Sequence, residues 1–207
     1  AYDLNPGQGD YSVNRLAMQY LGREAQDPEA PGLFLSQGNY PLKGLHYMLE
    51  ALPLIEKQYP DVKLYVAGNG PMMEEMQRYV REHHMENVKF LGYLQKDEMS
   101  EKFYQAKAVI MTSQCYEAFA MTIAEAYSYG VPVIAGRVGN MDGMVQDGIT
   151  GVKFTYNSAE DLADKISAFD AMDLSVLKKN ARAFYAERLR PEDNYQKLIR
   201  IYEDISK

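Results

Sequence analysis

From residue 33 onward, short apolar runs alternate with longer segments in which apolar residues recur every three or four positions. The runs LFLSQ (33–37), KLYVA (63–67), NVKFLG (87–92), AVIMT (108–112), VPVIA (131–135) and GVKFT (151–155) are short, apolar and mostly β-prone, as strands are. Between them the helical spacing predicts helices near 43–58, 71–84, 96–106, 118–129, 139–146 and 158–169. Two more close the chain near 173–188 and 191–205, the second opened by Pro191, whose fixed φ and missing N–H suit a first helical turn. A helix follows each strand. Right-handed crossovers turn that alternation into an α/β fold: a single doubly wound, Rossmann-like domain with a mostly parallel six-stranded sheet and helices on both faces. Ligands of such sheets bind beyond the carboxyl ends of the strands, so the strand-to-helix loops are where chemistry is expected.

Residues 1–32 differ in character. Residues 1–10 read as loop; Val13, Leu16, Ala17, Tyr20 and Leu21 then recur at helical spacing, with Ser12 as N-cap and Gly22 as a stop, predicting one short amphipathic helix. The stretch REAQDPEAPG (23–32), with acidic residues, two prolines and a final glycine, reads as a linker. The chain thus divides into a leader at 1–32, read as a docked segment or artificial extension with a partner-binding helix as the alternative, and one domain at 33–207.

Charge narrows the function classes. The 207 residues carry 22 Lys plus Arg against 29 Asp plus Glu, a net charge of −7, with no run of cations to offset it. Phosphate neutralisation needs clustered cations, so nucleic acid is not an expected partner. The one cysteine, Cys115, excludes an intramolecular disulfide and fits a reducing compartment. No uncharged apolar run approaches the roughly 18 residues that span a bilayer, and no secretory pattern opens the chain, so no transmembrane segment and a cytoplasmic location are expected.

The most informative loop leaves the fourth predicted strand as SQCYEAFAMTIAEAYSYG, residues 113–130. Glu117 falls in the turn and Glu125 inside the following helix, eight positions on. Unpaired N–H groups near Phe119, Ala120 and Met121 would point out of the helix start, where the dipole favours an anion such as a diphosphate. Glu125, two turns in, could accept both hydroxyls of a ribose. The spacing alone is equally met by an acid that stabilises its helix and a solvated glutamate. In SQGNYPLKGL (36–45), Gly38 permits a tight turn, Pro41 sets the helix entry, and Lys43 lies where an ammonium could meet a phosphate. A lone lysine at a helix start is more often solvated. AGNGP (67–71) is met by an ordinary tight turn, since the third glycine of a dinucleotide fingerprint is absent. His83 and His84 are adjacent and face different ways on a helix, and His46 has no evident partner. No metal-ligand spacing, nucleophile elbow or phosphate-binding lysine motif occurs, and the 17 Tyr and 12 Met need no role beyond core volume.

Taken in order, LSQGNYPLKGLHYMLEALPLI, LYVAGNGP, VKFLGYLQKDEM, EAFAMTIAE, EAYSYGVPVIAG and DGITGVKF resemble the donor-binding, C-terminal domain of the group 1 (family four) retaining glycosyltransferases of the GT-B fold, over about residues 33–205. The resemblance implies that Glu117 sits by the donor sugar's hydroxyls and that Lys43 is the cation at the diphosphate. It implies further that the backbone of Phe119, Ala120 and Met121 holds the diphosphate, that Glu125 takes the ribose, and that Gly92 and Tyr93 lie along the nucleobase. Preorganised N–H groups and a lysine can stabilise a departing diphosphate without a metal or other cofactor, so the implied ligand is the nucleoside diphosphate sugar itself.

Three departures accompany the likeness. Gly38 stands where the family usually carries an arginine, and Ala118 and Ala120 replace glycines of the first glutamate motif. The leader is too short to be the additional Rossmann-like domain that binds the acceptor. The expectation is therefore a truncated donor-binding domain, unable to transfer sugar alone. Its rivals are a non-catalytic excised or engineered module with a vestigial nucleotide site, and one subunit of a split transferase.

Overall fold

The computed structural model describes residues 32–36 and 41–205; the predicted leader helix and Gly38 lie outside the described residues. Six strands, β1 (Leu33–Ser36), β2 (Leu64–Ala67), β3 (Val88–Gly92), β4 (Ala108–Met111), β5 (Val133–Gly136) and β6 (Gly151–Phe154), pair in parallel in the order β3-β2-β1-β4-β5-β6. The described helices are α1 (Leu45–Glu56), α2 (Met73–Glu82), α3 (Lys96–Gln105), α4 (Met121–Ser128), α5 (Gly139–Met144), α6 (Ala159–Asp170), α7 (Leu174–Arg188) and α8 (Pro191–Ile205). The chain builds outward from β1 to β3, returns to the centre for β4, and builds outward again to β6. Its direction reverses between β1 and β4, which is where a doubly wound sheet leaves a crevice above its strand ends.

Strand periodicity explains the two cores. Leu33 and Leu35 of β1 join Leu49 and Leu52 of α1 and Leu162 and Ile166 of α6 on one face. Phe34, between them in sequence, joins Phe103 of α3, Ile123 and Tyr127 of α4 and Tyr185 of α7 on the other. Val109 and Met111 of β4 face this second cluster and Ala108 and Ile110 the first, the alternation a strand buried on both faces requires. Both faces are covered, as the apolar strand runs predict.

Local chemistry sets the element ends. Gly130, at φ 69°, ends α4: its amide reaches Tyr127 O at 3.0 Å and that of Val131 reaches Ala126 O at 2.9 Å, a Schellman closure. Ser158 caps α6 by accepting from the Asp161 amide at 3.1 Å. The helix predicted over 43–58 is a 3-10 turn (Pro41–Lys43) followed by α1, because Gly44 takes a left-handed φ of 70° that breaks the helical path. The helix predicted from residue 118 begins only at Met121. No described helix is long and apolar enough to cross a membrane.

Tyr127 is fully buried, its hydroxyl 2.7 Å from Thr150 Oγ1 and its ring 5.6 Å from that of Phe184. Tyr127→Phe keeps the packing and removes the hydroxyl, so it should cost about 1 to 2 kcal/mol in urea denaturation, with the slope unchanged. A midpoint equal to that of the unaltered chain would show that this bond contributes nothing.

Candidate functional site

The loops that follow β1 and β4 are fastened together. Thr112 Oγ1 donates to the Lys43 carbonyl at 2.9 Å, and the Gln114 amide donates to the Leu42 carbonyl at 2.8 Å. A Cβ on Gly44 would lie 2.2 Å from the Thr112 carbonyl oxygen, so the backbones approach as only glycine permits. With its main chain held in this way, Lys43 extends its ammonium to the carboxylate of Glu117. Ser113, fully buried, donates to the same Glu117 oxygen at 3.2 Å and accepts from the Cys115 amide at 3.3 Å. The ion pair is partly shielded from water, with side-chain exposures of 27% for Lys43 and 20% for Glu117.

Beyond Glu117 the loop leans on α5. Asn140 Nδ2 donates to the Ala118 carbonyl at 2.7 Å, and a Cβ on Gly139, at φ 53°, would come within 2.9 Å of Tyr116 Cα. Ala120 then caps α4 with φ −81° and ψ 82°, and the Met121 amide turns back to the Phe119 carbonyl at 3.0 Å. Among the described residues the amides of Phe119 and Ala120 find no acceptor. The first turn of α4 carries no acidic side chain, so the positive end of its dipole is not neutralised locally. Two open amides and an ammonium beside a helix start can hold an anion.

Glu125 lies on the same helix, half-buried, and lines a pocket of about 420 Å3 with Phe119, Met121, Tyr185, Arg188 and Asn194. Burial pushes its carboxyl above the ordinary carboxylate value. Gly92, at φ 67°, and the exposed Tyr93 stand at the end of β3, on the same edge of the sheet but two strands from β1; the Gly68 amide ties the β2 loop to Gly92 O at 2.7 Å. The structure therefore joins Lys43 to Glu117 directly, sets Phe119, Met121 and Glu125 around one pocket, and leaves Gly92 and Tyr93 further along the rim. Of the three amides expected at the helix start, that of Met121 is already engaged. Leu42, Tyr116, Phe119 and Met121 add exposed apolar surface near the helix start. Among the described residues, no group of three or more His, Cys, Asp or Glu could hold a metal ion.

Several contributors carry no local sequence signal. Thr112 and Ser113 look like ordinary polar residues at and just after a strand end, and Asn140 is a polar residue in a short helix with nothing to single it out. Tyr185, Arg188 and Asn194 come from helices at the end of the chain. Gly44 is the exception in kind, since a glycine immediately before a helical run hints at a break.

The profile of the family described as glycosyl transferases group 1 matches residues 23–182, beginning inside the segment read as a linker. The chain is 26% identical over 200 residues to the glycogen synthase of Mycobacterium tuberculosis, covering 93% of this chain and 47% of that protein. Anabaena HepE, solved in complex with UDP and glucose, superimposes with a TM-score of 0.76 at 23% identity, over 93% of this chain and 52% of HepE. The C-terminal domain of a group 1 family protein, LpcC from Francisella tularensis, does so with a TM-score of 0.69 at 22% identity, over 81% of this chain and 91% of that domain. At these identities the superpositions show a shared fold. The chain spans about half the length of the curated relatives it matches.

The raised carboxyl of Glu125 has a consequence for stability. Between the ordinary carboxylate value of the unfolded chain and the higher value of the folded one, the folded state binds more protons, so stability falls as pH rises through that window. Glu125→Gln removes the titration. Urea denaturation at about pH 4 and about pH 7 should show a smaller loss with rising pH in the variant than in the unaltered chain. Equal losses would mean that the carboxyl is solvated.

Proposed function

Because the chain belongs to the group 1 glycosyltransferases, we propose that it is the donor-binding domain of a retaining glycosyltransferase and that its crevice takes a nucleoside diphosphate sugar. The single observation that carries this reading is the Lys43–Glu117 pair beside the open amides of Phe119 and Ala120 at the start of α4. The diphosphate would lie on those amides and on the Lys43 ammonium, which can exchange Glu117 for phosphate oxygen. Glu117, with Ser113 still donating to it, would then accept from hydroxyls of the sugar. Glu125, held in the neighbouring pocket, would accept from the ribose hydroxyls, and the rim at Gly92 and Tyr93 would border the base.

In this reading the protein's contribution to transfer is stabilisation of the diphosphate as the glycosidic bond breaks and negative charge grows on the leaving oxygens. Fixed amide dipoles and an ammonium serve that charge at little cost in reorganisation. The acceptor would be held by a second domain or subunit, so the chain by itself would bind donor without transferring sugar. The UDP and glucose bound by HepE lend support by fold.

Titration calorimetry with UDP, GDP, ADP and their sugars should show binding of at least one of them. Silence across the whole panel, in a sample shown to be folded, would overturn the proposal. Glu125→Ala should weaken the nucleoside diphosphate by about 1 to 3 kcal/mol, the scale of a hydrogen bond to a charged group. An unchanged affinity would remove Glu125 from the site.

A further inference from the structure

We propose that Asn140 is a positioning residue that aims the Phe119 amide at the diphosphate, an inference that rests on the site reading given above. The peptide unit is planar and trans, so its C=O and N–H point in opposite directions. Asn140 Nδ2 holds the Ala118 carbonyl toward α5 at 2.7 Å. The N–H of Phe119 belongs to the same peptide and must therefore point away from α5. Strand β4 lies between β1 and β5, so the direction away from the β5 loop is the direction of the β1 loop, where Lys43 stands. One side-chain amide thus turns an open backbone donor toward the side of the loop on which Lys43 stands.

Contact between the two segments is independently close. Gly139 approaches Tyr116 so tightly that a Cβ would sit 2.9 Å from its Cα, which keeps Asn140 opposite Ala118. Asn140 is itself exposed, so truncating it removes the bond without opening a core cavity. Without that bond the 118–119 peptide can rotate, and the Phe119 amide loses its fixed direction. A freely rotating donor is still a donor, so the expected effect is loss of preorganisation rather than loss of the site.

Asn140→Ala and Asn140→Asp, the second replacing the donor amide by a carboxylate that repels the Ala118 carbonyl, test the idea in the full chain. By calorimetry, both should weaken whichever of UDP, GDP or ADP binds by about tenfold, the scale of one hydrogen bond to a charged group, while leaving the matching nucleoside unchanged. A merely structural role would lower both affinities together, and that result, or no change in either, would overturn the inference. A second measurement does not depend on the nucleotide. In 1H–15N spectra, inorganic pyrophosphate should shift the Phe119 amide of the unaltered chain and shift it markedly less in the variants. An Asn140-dependent pyrophosphate shift without nucleotide binding would sink the nucleotide-sugar reading and keep the positioning role. Nucleotide binding with an insensitive Phe119 amide would do the reverse.

Discussion

The contact between Gly44 and the Thr112 carbonyl governs the geometry of the site. Any side chain at Gly44 would overlap that oxygen, and the left-handed φ of 70° admits glycine most readily. Through this approach the turn that carries Lys43 is set against the end of β4, and Thr112 Oγ1 and the Gln114 amide hold it there. Lys43 and Glu117 lie 74 residues apart in the chain and nonetheless meet, because β1 and β4 are neighbours in the sheet and their loops leave it at the same edge. The reversal of strand order at these two parallel strands sends α1 to one face and α4 to the other, so the crevice above them stays open.

Charge in the crevice is balanced locally. Lys43 is held by Glu117, and Glu117 by both Lys43 and the buried hydroxyl of Ser113. A phosphate entering the proposed site competes for a cation already placed and partly desolvated, and the carboxylate it displaces keeps the Ser113 donor. The start of α4 offers backbone donors rather than side chains there, which makes their direction a matter of peptide orientation. Glu125 stands apart in the pocket it shares with the terminal helices, where burial disfavours its ionised form until hydroxyls or another donor reach it. These are two carboxylates on one loop and helix with different surroundings, and their chemistry differs for that reason.

Most of the fold was legible beforehand because strand and helix periodicities are local and the strands are buried on both faces. Parallel pairing followed from the alternation of strands with helices and the right-handed crossovers it implies. Element ends were less legible: nothing in the pattern of apolar residues announces that α4 begins at Met121 rather than two or three residues earlier, or that residues 41–44 form a separate turn. For the site, the types and spacing of Lys43, Glu117 and Glu125 were visible. Their partners were not, since a serine after a strand and an asparagine in a short helix carry no signature until the backbone brings them to a carboxylate and a carbonyl.

The amino-acid sequence by itself determined the α/β class, the parallel sheet and the loops in which chemistry would lie, because each depends on residues within a few positions of one another. Only the tertiary structure decided that Lys43 and Glu117 form a pair, that the Met121 amide is engaged while those of Phe119 and Ala120 stay open, and that Glu125 shares a pocket with the terminal helices. Those outcomes depend on strand order and on backbone contacts between distant segments. Such contacts are set by the packing of the whole sheet, and no local pattern of side chains encodes them.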